Sequence, residues 1–123
     1  MPTQKVYPIM PVSAPRQTKS DAWNPSDHVL RYRAFRDECA YRGVTIAPRD
    51  TCITFVLPMP ASWSNKKREA MRFQPHEQKP DLDNLVKALV DAVYRNQDDG
   101  KVSSYGRLEK IWGDVGEIRI TLP

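Results

Sequence analysis

The stretch from Leu82 to Val93 constrains this chain more than any other. Leu82, Leu85, Val86, Leu89 and Val93 fall on one stripe at helical spacing, and Asp83, Lys87 and Asp91 recur at four-residue steps on another face. An amphipathic helix of this kind draws most of its stability from packing its apolar stripe against something else. Pro80 stands just before it, so Asp81 belongs to the N-cap or to the entering segment rather than to the helix proper. That distinction matters because Asp81 and Asp83, two positions apart within a helix, would face different ways. A capping carboxylate and a first-turn carboxylate can instead converge.

The rest of the chain arranges itself around that helix. Five of the 11 prolines fall in the first 25 residues, so residues 1–25 are an extended Pro-rich segment, with a short strand around Lys5 to Met10. From Ser26 to Arg42 the apolar positions Val29, Tyr32, Phe35 and Cys39 mark a helix face, with Ser26 as N-cap and Gly43 as stop. Arg31, Arg33 and Arg42 fall off that face. Thr51 to Leu57 is β-branched and apolar and is ended by Pro58 and Pro60, which predicts a strand. Ser62 to Phe73 reads as a short basic helix or turn, and residues 74–80 as a linker. A polar loop, RNQDDG, follows the opening helix. Two further strands, Val102 to Trp112 and Glu117 to Leu122, turn through Gly113 and Gly116. The order β, α, β, α, α, β, β predicts a single α+β domain over residues 1–123, with a small mixed or antiparallel sheet and about three helices.

Composition narrows the function. With 40% hydrophobic and 28% charged residues, a chain of 123 residues supports one modest core and a charged surface. No signal-peptide run opens the sequence, and the longest apolar stretch, ITFVLPMPA, is too short to span a bilayer. Cys39 and Cys52 make no CxxC pair, so reduced, buried thiols and a cytoplasmic location are expected. The net charge of +4 is unevenly spread. Residues 1–80 hold 13 Lys+Arg against 7 Asp+Glu, whereas residues 81–123 hold 6 against 8. A basic majority beside a local acidic patch suits a protein that holds a polyanion and acts at one point on it, though an unevenly charged solvated surface gives the same counts.

The acidic patch has a chemistry of its own. Asp at an N-cap and Asp in a first turn are favourable for capping and dipole reasons alone, by about 0.5–2 and 0.3–1 kcal/mol. A second pair, Asp98 and Asp99, follows in the loop past the helix. Carboxylates from two chain segments supply the oxygen ligands that Mg²⁺ demands, with Mn²⁺ as a substitute. In phosphodiester cleavage such an ion activates water and offsets charge on the attacking and leaving oxygens. Lys66, Lys67, Arg68, Arg72 and Lys79 lead directly to this patch and are the best phosphate contacts, with Arg16, Lys19 and His76 as further DNA-binding candidates. Lys66 to Arg72 also read as an ordinary solvated basic turn, and Lys87 as an i,i+4 partner of Asp83. Asp91 reads as structural, and Trp63 and Trp112 as core or dimer contacts.

The same residues carry a resemblance. "H..KPDLDNLVKALVDAV", then "QDDGKV" and "KIWGDVGEIRI", resembles the RusA family of Holliday-junction resolvases, common in phages and prophages. "APRQTKSDAW" and "RYRAF" extend it more weakly toward the N-terminus. The resemblance implies a homodimeric α+β endonuclease that uses Mg²⁺ to nick opposed strands of a four-way DNA junction, in recombination and repair. By motif, Asp81 and Asp83 take the place of the paired metal-binding aspartates, Lys87 of the essential lysine, and Asp99 of the third aspartate. Gly100 and Lys101 follow the acidic pair where the family usually has Ala-Gln, so Asp98 stands as the alternative to Asp99. Two other functions stay open on the sequence: an architectural DNA-binding protein whose acids only cap a helix, and a nuclease acting mainly on flaps or forks.

Overall fold

A computed structural model describes residues 3–15, 24–95 and 99–123, with Asp99 by its backbone alone. Strands β1 (Gln4–Tyr7), β2 (Thr51–Pro58), β3 (Tyr105–Gly113) and β4 (Glu117–Thr121) form one sheet in the order β1-β4-β2-β3. β4 pairs antiparallel with both β1 and β2, and β2 pairs parallel with β3. The sheet is therefore mixed, and the fold is α+β. A parallel pair needs a crossover connection, which is supplied here by helices α2 (Asn65–Met71) and α3 (Leu82–Val93).

Alternation along the strands decides which sheet face is buried. In β2, Ile53, Phe55 and Leu57 turn to the same side, in register with Leu108, Lys110 and Trp112 of β3 and, for the first two, Ile120 and Ile118 of β4. These β2 and β4 residues form one core with Tyr32, Phe35 and Cys39 of helix α1 (Asp27–Tyr41) and with Leu85, Ala88, Leu89 and Ala92 of α3. All four residues predicted on the α1 face are buried. The buried face of α3 is centred on Leu85, Ala88, Leu89 and Ala92, while Leu82, Val86 and Val93 are only half-buried. The helix is thus rotated from the predicted stripe, with Ala88 and Ala92 on its buried face, and it packs against α1. Tyr32 Oη donates to Asp91 Oδ2 at 3.2 Å across that contact, which gives Asp91 its structural role. Burial first and Asp91 second push the Tyr32 phenol up to about 12.

The caps follow the sequence closely. Ser26 accepts from the Val29 N–H at the start of α1. At its end Gly43 N–H donates to Ala40 and Val44 N–H to Cys39, the double bond pattern of a Schellman motif, with Gly43 at φ +67°. Both cysteines are free, and burial pushes the Cys39 thiol up to about 12.

Three predicted elements differ. β1 ends at Tyr7 rather than Met10, and β3 begins at Tyr105 rather than Val102. Residues 74–80 are more than a linker. Phe73 N–H donates to Trp112, Trp112 N–H to Gln74, and His76 N–H to Lys110, at 2.8, 3.0 and 3.0 Å. This stretch runs along the outer edge of β3 and satisfies backbone groups that an open edge would leave unpaired. No described helix is long and apolar enough to cross a membrane.

Candidate nuclease site

Asp81 occupies the N-cap of α3 with extended backbone (φ −70°, ψ 140°), and its carbonyl accepts the Leu85 N–H. Its side chain makes no capping hydrogen bond. The carboxylate that a capping role would consume is left exposed, with Lys79 Nζ 3.9 Å away. Asp83, in the first turn, is exposed as well, and its Oδ1 accepts from the Asn84 N–H at 3.0 Å. The structure thus brings Asp81 and Asp83 to one helix start, both with oxygens open to solvent. Ala14 N–H donates to the Asn84 carbonyl, so the N-terminal segment passes beside them.

Lys87 lies one turn further on, exposed and without an ion pair among the described residues; the i,i+4 bridge to Asp83, its alternative reading, is not formed. Asp98 lies outside the described residues, as do the Asp99 side chain, Arg16 and Lys19. The Asp99 backbone enters a 3-10 turn, Asp99–Lys101, reached from the far end of α3, about 18 Å from its start at 1.5 Å per residue. Among the described residues no three His, Cys, Asp or Glu side chains gather into a metal cluster.

The basic residues separate by what they already hold. Arg72 makes a two-point ion pair with Asp114, at 3.0 Å on both nitrogens, which keeps the Asp114 carboxyl below its ordinary range. Arg68 donates to the Pro60 carbonyl at 2.7 Å. Lys67 lies 4.3 Å over the Trp63 ring, an exposed cation–π contact. Lys66 is exposed, and Lys79, also exposed, holds only the long 3.9 Å ion pair to Asp81.

His76 does not stand where a DNA-contacting loop histidine would. It is 5% exposed, and its ring packs on Trp112 with centroids 4.1 Å apart. Burial first, and the nearby Lys110 ammonium second, hold its pKa below the usual histidine value. The placement argues for packing the 74–80 stretch rather than for phosphate contact. Trp63 also packs against Trp112, with ring centroids 4.8 Å apart and the planes tilted by 55°.

Nearly the whole chain, residues 8–123, matches the family model Endodeoxyribonuclease RusA. This protein belongs to the RusA endodeoxyribonuclease family. No curated protein matches it. The exposed Asp81 and Asp83 at the start of α3 lie within the matched region. One neighbour escaped the sequence reading. Lys110, in β3, donates through Nζ to the carbonyls of Gln78 and Pro80, the second at 2.6 Å. A lysine facing the same side as Leu108 and Trp112 breaks the apolar row of that strand and is the only hint the sequence held.

Proposed function

We propose that this RusA-family chain is a divalent-metal-dependent endonuclease that resolves four-way DNA junctions by paired nicks, acting as a homodimer. The observation that carries the reading is the exposed Asp81–Asp83 pair at the start of α3, with the Asp81 carboxylate unused by the cap. A helix start built only for stability would turn that carboxylate onto its own first-turn N–H groups. Two exposed carboxylates are also the hard oxygen donors that suit Mg²⁺ or Mn²⁺.

Asp81 and Asp83 would hold the cation; the family motif names Asp99, or Asp98 as its alternative, as third ligand, and that segment starts from the far end of α3, so it is the Asp81–Asp83 pair that carries the site. Bound there, the cation would activate a water and offset the charge on the leaving oxygen. The rest falls to the chain itself. Lys87, free of Asp83, reaches toward the scissile phosphate. Lys66, Lys67 and Lys79 neutralise neighbouring phosphates and set the register of the strand. Water attacks phosphorus in line, the bond to the 3′ oxygen breaks, and the products are a 3′-hydroxyl and a religatable 5′-phosphate.

The test is cleavage of a synthetic four-way junction in Mg²⁺, beside a fork and a linear duplex of the same sequence. Junction cleavage well above the other two is the expected result. Equal cleavage of all three would remove the junction specificity, and binding without any cleavage would leave the architectural reading.

A further inference from the structure

Lys110 holds the chain that delivers Asp81. Its ammonium, half-buried, is bound by the Gln78 and Pro80 carbonyls, and its own backbone carbonyl accepts the His76 N–H at 3.0 Å. One residue therefore ties down residues 76, 78 and 80 in succession. The Pro80 oxygen belongs to the peptide plane that contains the Asp81 nitrogen. Fixing that oxygen fixes the plane and so places the Asp81 nitrogen and Cα; the backbone φ of −70° at the helix start then sets the direction of the Cα–Cβ bond. The Asp81 carboxylate has no capping bond of its own, and its one described side-chain contact is the long, exposed ion pair to Lys79 at 3.9 Å.

Resting on the metal-site reading of Asp81, we propose that Lys110 is a positioning residue for that site. It acts through backbone carbonyls rather than by touching metal or DNA. Among the described residues Lys110 forms no ion pair, so the contacts of its ammonium are those two carbonyls. Loss of groups that orient a metal ligand costs about 10–100-fold in metal affinity or activity. Lys110→Met should therefore weaken metal binding by about tenfold or more, and leave metal-free junction binding unchanged.

The measurement is direct metal binding to the full chain, by Mn²⁺ titration followed calorimetrically, with circular dichroism as the control for folding. Wild type, Lys110→Met, Lys110→Arg and Asp81→Asn are compared. The expected order is wild type tightest, Lys110→Arg close to it because guanidinium restores two donors, Lys110→Met weaker, and Asp81→Asn weakest. A Lys110→Met protein that binds Mn²⁺ as wild type does overturns the proposal. A loss of metal-free junction affinity in that variant also overturns it, since Lys110 would then be a DNA contact. If Asp81→Asn itself binds Mn²⁺ normally, it is the underlying site assignment that fails. Should Lys110→Met not fold, Lys110→Gln takes its place under the same criteria. Unfolding of both would show that Lys110 serves global stability and would end the proposal.

Discussion

Substituting Asp83 separates catalysis from binding within one side chain. Asp83→Asn keeps the shape and the acceptor for the Asn84 N–H while removing one charge from an exposed carboxylate. Outer partners of a metal ligand are worth about 10–100-fold, so loss of a ligand's charge should lower junction cleavage by more than about 100-fold. Affinity for DNA rests on lysines and arginines and should hold or rise slightly as repulsion falls. Gel shifts in Ca²⁺ beside cleavage in Mg²⁺ check both halves, and near-wild-type cutting rules the residue out as catalytic. His76 carries a pH prediction of opposite flavour. Its pKa is held below the ordinary 6.5 by burial and by Lys110, so the folded state binds the proton less tightly than the unfolded one. Stability from neutral His76 is thus complete above about pH 6.5 and is lost as pH falls below it. Melting temperature should drop between pH 7 and pH 5, and the drop should be smaller in His76→Phe, which keeps a ring against Trp112. Both residues show where sequence reading stops. Pro80 announces that Asp81 lies outside the helix, so the free carboxylate was legible. The burial of His76 and the grip of Lys110 arise from β3, some thirty residues on in the chain, and no local pattern carries them.

Elements whose signals are local came through almost intact. Spacing of three and four, with Ser26 before and Gly43 after, located α1 to within a residue at each end. The pairing of residues 73–76 with β3 was hidden because Pro75 masks the strand character and the partner is distant in sequence. The parallel pairing of β2 with β3 ends at Pro58 and Gly113, where a Cβ on Gly113 would collide with the Val56 side chain, which is 1% exposed. Gly113→Ala should cost about 1–3 kcal/mol, the usual penalty for overpacking, read as a lower denaturation midpoint with an unchanged m-value. Helix α2 makes a test on its own. Lys66 and Lys67 are exposed, whereas Arg68 and Arg72 are engaged with Pro60 and Asp114. Each phosphate contact contributes about 0.9 to the slope of log affinity against log salt on duplex DNA, so changing Lys66 and Lys67 together to Ala should flatten it by up to about two such steps. An unchanged slope would move the DNA path away from α2.

At the scale of the whole molecule, the proposed homodimer is what would match the enzyme to its substrate. A four-way junction has two-fold symmetry, and two identical sites related by a two-fold axis address opposed strands in one binding event. With the one site proposed at Asp81 and Asp83, one chain of 14.1 kDa would make one nick at a time. Light scattering at micromolar concentration should therefore give twice the mass of one chain. A mixing experiment then asks whether the dimer is what cuts. When wild type and Asp83→Asn are combined in equal amounts and allowed to exchange, about half of the dimers carry one working site. Those dimers should nick one strand and stop, so nicked junctions accumulate at the expense of resolved duplexes. With independent monomers, dilution by the mutant slows cutting but leaves the ratio of nicked to resolved product governed by total active enzyme. A product ratio that matches simple twofold dilution of wild type, together with a mass near that of one chain, would remove the paired-site reading. Accumulated single nicks in a particle of twice the mass would tie the symmetry of the substrate to the symmetry of the enzyme.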